Sequence, residues 1–506
     1  MINRPYDTDV LVVGAGPVGL TLALDLTRRG VRVRLVDRAP GTFPGSRAKG
    51  IQPRTLEVFD DLGVADEAFA AGGDYPPLGA HLGPLTIPWR MHRHQTPTPQ
   101  TPYPNVLLLP QSSTTAILRG ALDRAGVTVE FNAEIREVAQ DDLGATAVLE
   151  GGGSIRARYI VGADGAASVV RKSINVSFEG STDESDKMII ADAAIDGLSR
   201  DRWHVWPRTA GRFVGACPLP DTTQFQLMIR LKPNENPDLS EAALAAQFSD
   251  LIGDKKLTLR DLTWASVFRP NVRLAEHYRR RRVLIAGDAA HVHTPAGAQG
   301  LNTGVQDAYN LGWKLGQVLA GAPEALLDTY EGERRPVAAH VLGRSSELYE
   351  GLRQPRLSMF TRSEEDRQLT ISYYGGPLAP PGNPGTRTLR VGDRAPDGQI
   401  TRAGASRLFD LYRGPHFSLL GFGNEAANAL TQVTWPPGGA PLARYAITDS
   451  AKDADAALAQ TYGIAEDTQI LVRPDGYIAH IATRDWDHSL ADIAHWAAPT
   501  SQAKPC

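Results

Sequence analysis

The stretch Val10–Gly19, with the sequence VLVVGAGPVG, decides the fold of this chain. Its first four residues are apolar and predict a buried parallel strand. Glycines follow at the G-x-G-x-x-G spacing (Gly14, Gly16 and Gly19), and an apolar-faced helix that ends at Gly30 comes next. This order of strand, glycine turn and helix is typical of a dinucleotide-binding unit.

Each glycine of this turn has a distinct physical role. Gly14 permits the tight turn, Gly16 lets backbone N–H groups approach a pyrophosphate, and Gly19 lets the helix pack closely on the strand. The N-terminus of the helix then faces an anion that its dipole stabilises. A second apolar run ends at Asp37, 23 residues after Gly14 (37 − 14), close to the offset of about 20 residues expected for an acid that binds ribose.

Composition restricts the other functions that the chain can have. A length of 506 residues allows two or three domains, and a net charge of −4 gives no reason to expect nucleic acid or an anionic membrane as a partner. No apolar run approaches the roughly 18 residues of a transmembrane helix, and we find no signal-peptide core, so we expect a cytoplasmic protein. The two cysteines, Cys217 and Cys506, support neither a disulfide framework nor a cysteine metal site.

Two further strands lead into turns that carry an acidic residue. One strand ends at Asp164 before a short helix, and the other ends at Gly287 and Asp288. The loop 294–304, which holds three glycines and a proline, then opens a long apolar-faced helix. This loop, like the first glycine turn, directs a helix N-terminus at a ligand.

Residues 175–280 alternate between polar and apolar side chains and predict an antiparallel sheet with one apolar face. The dense prolines of residues 75–104 predict irregular structure or edge strands. Large aromatic residues also fall within the sheet region: Trp203, Trp206, Phe213, Trp264 and Phe268. The core of the sheet is the default interpretation of these aromatic residues, and the wall of a pocket for a flat apolar ligand is the alternative.

The histidines do not predict a metal site. His92 and His94 lack a third metal ligand at a sensible spacing. His291 with His293 is interpreted as a structural pair. His204, Tyr103 and His92 are the candidates for an acid or base. A structural role is the default for each of these three.

Together, the motifs resemble those of the single-component FAD-dependent aromatic hydroxylases. The resemblance also covers Ser46–Gly50 (SRAKG), Arg54–Glu57 and Asp307–Leu315. Val391–Pro396 and Leu471–Gly476 are similar to the thioredoxin-like C-terminal domain of the phenol hydroxylase and aromatic polyketide hydroxylase branches. This tail has no Cys-x-x-Cys motif, so we expect no dithiol chemistry there.

The resemblance implies an α/β fold with three parts. They are a discontinuous, Rossmann-like FAD-binding domain of the glutathione-reductase type, an inserted antiparallel-sheet substrate domain, and a C-terminal thioredoxin-like domain. The predicted boundaries are 1–75 with 105–175 and 281–375, then 76–104 with 176–280, and finally 386–506.

The resemblance also implies a set of cofactor-binding residues. Outside the flavin ring these are Gly14, Gly16, Gly19, Asp37, Arg38, Arg47, Gln111, Asp164, Gly287 and Asp288. Asp37 is expected to hold the adenosine ribose and Asp288 a ribityl hydroxyl. Arg47 and Gln111 are expected to contact the phosphate and ribitol region, although Arg47 is also explained as an ordinary surface residue. Asp164 is expected to serve both FAD and transient nicotinamide binding.

The expected catalytic positions are Pro295, Gly300, Leu301 and Asn302, which the resemblance places against the isoalloxazine ring. The helix dipole at Gly300 is suited to negative charge on the N1–C2=O side of the flavin. The sequence has only one G-x-G-x-x-G motif, so NADPH or NADH is expected to bind transiently on the surface of the FAD domain.

The implied function is that of a flavoprotein monooxygenase that uses NAD(P)H and dioxygen. Its expected substrate is a phenolic or polycyclic polyketide-type aromatic compound, hydroxylated through a flavin hydroperoxide. A Baeyer–Villiger or epoxidising oxygenase on the same scaffold and a flavin-binding protein that does not oxygenate are the alternatives. The sequence does not decide the substrate, the choice between NADPH and NADH, or the oligomeric state, for which a homodimer is one alternative.

Overall fold

A computed structural model describes residues 5–91, 93–208, 212–232, 235–294, 297–353, 363–402, 404–448, 453–486, 490–494 and 496. Its helices are α1 (Pro17–Arg28), α2 (Pro53–Asp61), α3 (Ala65–Ala71), α4 (Gln111–Arg124), α5 (Val169–Ser173), α6 (Glu241–Ile252), α7 (Gly300–Leu319), α8 (Asp328–Arg353), α9 (Leu408–Tyr412), α10 (Asn424–Ala429), α11 (Asp453–Thr461) and α12 (Ala491–Ala494).

Its strands are β1 (Thr8–Val13), β2 (Val33–Val36), β3 (Gly50–Ile51), β4 (Gly73–Asp74), β5 (Leu78–Leu82), β6 (Leu85–Trp89), β7 (Leu107–Leu108), β8 (Val129–Glu130), β9 (Ile135–Gln140), β10 (Ala145–Leu149), β11 (Ser154–Gly162), β12 (Phe178–Thr182), β13 (Met188–Asp196), β14 (Trp203–Pro207), β15 (Phe213–Pro218), β16 (Gln224–Arg230), β17 (Thr258–Phe268), β18 (Asn271–Ala275), β19 (Arg279–Arg280), β20 (Val283–Ile285), β21 (His291–Val292), β22 (Gln399–Arg402), β23 (Ala405–Arg407), β24 (Phe417–Phe422), β25 (Leu442–Ile447), β26 (Thr468–Val472) and β27 (Ile478–Ala482).

The first sheet is built around β1. Its strand order is β19-β20-β11-β1-β2-β8, and β10 and β9 extend it from β11. β1 pairs in parallel with both β2 and β11. Val10, Leu11 and Val12 are fully buried, as expected of a strand covered on both faces of a parallel sheet. The predicted buried parallel strand is confirmed.

Glycines let α1 and β1 approach each other closely. Gly14 has φ +105°, a conformation that favours glycine, and a Cβ atom there would collide with the backbone carbonyl of Ala163. A Cβ atom on Gly19 would collide with the carbonyl oxygen of Gly14. The close packing predicted for Gly19 is therefore seen in the structure.

A seven-stranded sheet forms the second layer, in the order β17-β13-β16-β15-β14-β5-β6. β5 and β6 come from the proline-rich segment, for which irregular structure or edge strands were predicted. They pair as a hairpin in which β5 joins β14 and β6 is the edge strand. The buried side chains of α6 that pack on this sheet include Leu244 and Phe248. The opposite face of the sheet is open to the cavity described below.

The C-terminal part contains a four-stranded sheet in the order β25-β24-β26-β27, with β24 and β25 parallel and the other pairs antiparallel. Buried charges join it to the first sheet's helices. Arg473 contacts Glu333 at 2.6 Å, and Arg394 contacts Glu57 at 2.5 Å. The thioredoxin-like character of this part stays a prediction. No helix within the described ranges is both long and apolar enough to cross a membrane.

Candidate active site

A cavity of about 1260 Å³ extends from the glycine turn to the seven-stranded sheet. Most of the predicted site residues line it: Gly14, Gly16, Asp37, Arg38, Arg47, Gln111, Asp164, Asp288, Gly300 and Leu301. Gly19, Gly287 and Asn302 lie behind the cavity wall, and Pro295 falls outside the described residues. The structure thus places residues that are far apart in the sequence around one space.

The cavity leaves free space beside Gly16. It is the residue before α1, with extended backbone angles of φ −74° and ψ 179°. A Cβ atom built on Gly16 meets no protein atom within 4 Å. The first turn of a helix leaves backbone N–H groups without intrahelical acceptors. This combination of open space and free donors fits a diphosphate group.

Gly287 lies behind the cavity wall and shapes the turn that follows β20. It has φ +61°, and a Cβ atom there would lie 2.7 Å from Cγ2 of Val18. Glycine is therefore needed for the turn after β20 to approach α1. The neighbouring Asp288 lies in the cavity wall as an exposed side chain.

Two carboxylates are held at the cavity by backbone N–H groups and one side-chain hydroxyl. Asp37 accepts hydrogen bonds from the N–H of Ala15 at 2.7 Å and the N–H of Ala39 at 2.8 Å. Asp164 accepts from Ser168 Oγ at 2.6 Å and from the N–H of Val169 at 2.7 Å. Burial raises the pKa of Asp164, and these hydrogen bonds oppose that shift.

Arg47 is one of the cationic residues that line the cavity. Its guanidinium lies 4.8 Å from the ring centroid of Phe43, and its side chain is exposed. Arg47 forms no ion pair with any residue in the described part of the chain. Gln111 is the first residue of α4, and its N–H donates to the carbonyl of Ala48 at 2.7 Å, which holds the SRAKG segment beside it.

The N-terminus of α7 is joined to the SRAKG segment by Asn302. The amide oxygen of Asn302 accepts from the N–H of Gln52 at 2.8 Å, and its nitrogen donates to the carbonyl of Gly50 at 2.8 Å. The side chain of Asn302 is fully buried. It therefore fixes β3 against the start of α7, and Asn302 itself does not line the cavity.

Several buried polar atoms of the cavity wall lack a partner among the described residues. They are Gln52 Oε1, Thr115 Oγ1 and His293 Nε2. His293 Nδ1 donates to the carbonyl of Thr294 at 2.9 Å, so Nε2 is an acceptor. Burial lowers the pKa of His293, which favours the neutral ring. Unpaired buried polar atoms are costly, and a polar ligand would satisfy them.

The two histidines at 291 and 293 have different roles. His291 Nε2 lies 2.6 Å from Asp307 Oδ2 and is structural, as predicted. His293 lines the cavity, which the structural interpretation did not anticipate. Sequence reasoning also missed Gln52 and Thr115, because neither residue belongs to a recognisable motif.

The default interpretation of the aromatic residues is wrong for most of them. Trp203, Phe213, Trp264 and Phe268 line the cavity, and only Trp206 belongs to the buried core. Side chains alternate between the faces of a strand, so in β14 residues 203 and 205 face the cavity and Trp206 packs on the other side. The ring of Trp264 packs edge-on against Phe43 at 5.1 Å.

Two of the acid and base candidates, His204 and Tyr103, do not line the cavity. His204 Nδ1 lies 2.8 Å from His81 Nε2, and Tyr103 accepts a hydrogen bond from Arg407 at 3.1 Å. His92 falls outside the described residues. Within those residues, no three His, Cys, Asp or Glu side chains are grouped to hold a metal ion.

Comparisons with known proteins agree with this geometry. Residues 7–345 match the FAD binding domain family, and residues 388–499 match the aromatic-ring hydroxylase C-terminal family. A flavin-dependent monooxygenase from Mycobacteroides abscessus is 41% identical over 480 residues, with 93% of this chain and 96% of that protein covered. The 6-methylpretetramide 4-monooxygenase of Streptomyces rimosus is 34% identical, with 93% and 90% covered.

A solved structure shows the same architecture. The ternary complex of aklavinone-11 hydroxylase with FAD and aklavinone superposes with a TM-score of 0.79 at 26% identity, covering 98% of this chain and 99% of that one. The glycine turn, the acidic residues at the cavity and the two family matches lead to one conclusion. This chain belongs to the FAD-dependent aromatic hydroxylases, which are flavin monooxygenases.

Proposed function

We propose that this protein hydroxylates a polycyclic phenol in the cavity between the glycine turn and the seven-stranded sheet. The observation that carries the proposal is the continuity of this cavity. One end has the glycine turn and carboxylates that suit FAD, and the other has the aromatic wall of Trp203, Trp264 and Phe268. A flat apolar ring system fits such a wall.

FAD is proposed to lie across the carboxyl ends of the strands of the first sheet. Gly14 and Gly16 would receive the pyrophosphate with Arg47, and Asp37 would hold the adenosine ribose. When bound, FAD supplies reduction by NADPH or NADH and the activation of dioxygen. The remaining members of the proposed cofactor set are Gly19, Arg38, Gln111, Asp164, Gly287, Asp288, Pro295, Gly300, Leu301 and Asn302.

The chain's own contribution to the reaction is electrostatic and steric. The positive end of α7, which begins at Gly300, would stabilise negative charge on a ring bound beside it. The apolar side chains of Met188, Ile190 and Met228 line the cavity together with the aromatic residues. They would keep water away from the reacting atoms and so limit wasteful release of hydrogen peroxide.

The substrate class is inferred from the cavity and the relatives. A relative acts on 6-methylpretetramide, and a structural neighbour contains aklavinone. The domain division at 1–75 with 105–175 and 281–375, 76–104 with 176–280, and 386–506 belongs to the same proposal. A cytoplasmic location is proposed because the reaction needs NAD(P)H, and a homodimer is the assembly to test by light scattering.

The test uses purified protein loaded with FAD and two polycyclic phenols, anhydrotetracycline and alizarin. NADPH and NADH oxidation, hydrogen peroxide and product mass are measured together. We expect at least one compound to stimulate NADPH or NADH oxidation by more than the hydrogen peroxide formed accounts for. The same compound should gain one oxygen atom on a ring carbon. Oxygen inserted into a ring bond would favour the Baeyer–Villiger alternative. Flavin binding without any stimulated oxidation or product would contradict the proposal.

A further inference from the structure

Lys49 is a buried lysine in the cavity wall that the cofactor residues do not explain. Its side chain is 7% exposed. It precedes Gly50, whose carbonyl accepts a hydrogen bond from Asn302 at the start of α7 at 2.8 Å. It also lies over the ring of Trp203, with Nζ 4.4 Å from the ring centroid. Lys49 therefore stands between the proposed flavin site and the aromatic wall.

A chain of hydrogen bonds fixes the direction in which Lys49 points. Asp192 accepts from the Ser46 hydroxyl at 2.5 Å and from the Ser46 N–H at 2.6 Å. Because that hydroxyl donates to Asp192, its oxygen accepts from Gln226 Nε2 at 2.6 Å. Gln226 Oε1 is then left as an acceptor, and Lys49 Nζ donates to it.

This chain uses only one hydrogen of the Lys49 amino group. No other acceptor for Nζ, and no ion pair with a carboxylate, is present among the residues that the structure describes. Burial lowers the pKa of Lys49, while Cys217 and Asp192, the titratable groups that act on it, oppose the shift. A buried ammonium without a paired anion is unstable unless a ligand provides one.

We propose that Lys49 binds the ionised hydroxyl of the aromatic substrate, so that the protein selects substrates with an acidic phenol or hydroxyquinone group. This inference rests on the proposed function and specifies its substrate class. The Trp203 ring beneath Nζ belongs to the aromatic wall, so an oxygen bound at Nζ would lie beside that wall. Charge-assisted hydrogen bonds of this kind are short and strong.

The chemistry of this contact is a proton transfer. When Nζ is an amine, the substrate O–H bond breaks, its proton moves to Nζ, and an ammonium–phenolate pair results. When Nζ is already an ammonium, the substrate binds after losing its proton to solvent. In both cases the ring carries a phenolate, which is richer in electrons and better suited to accept an electrophilic oxygen.

The test measures binding of alizarin to the FAD-loaded protein. The ionised form of alizarin absorbs at longer wavelengths than oxidised flavin, so a difference spectrum reports its ionisation. We expect the wild type to bind alizarin as the anion at a pH where free alizarin is largely protonated. Lys49→Met is expected to weaken the binding of alizarin at least about tenfold, or about 1.4 kcal/mol. The alizarin that this variant binds should not show the spectrum of the anion. Lys49→Arg is expected to retain the anion spectrum.

Matched controls separate this contact from a merely structural role. The fully O-methylated alizarin cannot ionise, and its affinity is expected to be equal in wild type and Lys49→Met. Lys255→Met changes an exposed lysine and should leave both ligands unaffected. Wild-type protein that binds alizarin as the neutral form or not at all, or a Lys49→Met variant that still ionises it, overturns the inference. Failure of the proposed function would appear separately, as loss of FAD binding or of stimulated NAD(P)H oxidation in the wild type.

Discussion

Gly16→Ala separates cofactor binding from folding. The new methyl group meets no protein atom, since no atom lies within 4 Å of a Cβ built there. The backbone angles of Gly16, φ −74° and ψ 179°, suit alanine as well as glycine. Loss of glycine before a helix costs about 0.5–1 kcal/mol, and the reduced entropy of the unfolded chain offsets a similar amount. We therefore expect a thermal midpoint close to that of the wild type.

The same methyl group occupies the space proposed for the FAD pyrophosphate. Displacing the phosphates would lose two charge-assisted hydrogen bonds of about 1.5–3 kcal/mol each. The total, about 3–6 kcal/mol, raises the Kd of FAD on the order of 10²–10⁴-fold. Titration of the apoprotein with FAD, followed by quenching of flavin fluorescence, measures this change, and circular dichroism measures the thermal midpoint.

Two variants serve as controls for this measurement. Gly151→Ala adds a methyl group in an exposed hairpin turn, where it also meets nothing, and should leave both readouts unchanged. Gly19→Ala forces a contact with the Gly14 carbonyl and should lower the thermal midpoint. An FAD affinity for Gly16→Ala within about threefold of the wild type, a difference of about 0.7 kcal/mol, would refute the reasoning.

Three further variants test other parts of the structure. Asn302→Ala removes the hydrogen bonds to Gln52, Gly50 and Ala298. The free energy of unfolding measured in urea should therefore fall by about 2–4 kcal/mol. An unchanged unfolding midpoint would disprove the structural role of Asn302. Asp288→Ala removes an exposed carboxylate and should leave the thermal midpoint unchanged. It should weaken FAD binding about tenfold, which corresponds to a lost hydrogen bond of at least about 1.4 kcal/mol. An FAD affinity equal to that of the wild type would exclude the proposed contact. Burial alone raises the pKa of Glu333, but Arg473 and Lys314 outweigh it and lower the pKa to about 2. The ion pairs therefore stabilise the fold above pH about 4.3, the pKa of a free glutamate, and this stability is lost as the pH falls toward 2. Glu333→Gln should lower the free energy of unfolding by about 3–5 kcal/mol near neutral pH, and its stability should depend less on pH in the acid range. A variant whose stability falls with acid as steeply as that of the wild type would contradict this.

The fold and the end of the cavity at the glycine turn were predictable because local sequence determines them. A strand, three glycines and Asp37 are close in sequence, and each has a steric or electrostatic reason for its position. The start of α7 at Gly300 follows from the same reasoning.

The end of the cavity at the seven-stranded sheet was harder to predict, since its residues meet only through sheet pairing. The register of β14 decides that Trp203 faces the cavity and Trp206 faces the core. Composition and periodicity show that these strands alternate, but they do not show which face is covered by α6. For the same reason the contact of Lys49 with Gln226, 177 residues away, could not be seen in the sequence.

The central claim is that FAD and an aromatic substrate share the cavity between the glycine turn and the seven-stranded sheet. A crystal structure of the protein with FAD and alizarin tests it most directly. We predict electron density for the pyrophosphate at Gly16, for the isoalloxazine ring beside Gly300 and Leu301, and for alizarin against Trp203 and Lys49. Density for FAD elsewhere on the protein, or side chains filling this cavity in the complex, would contradict the account.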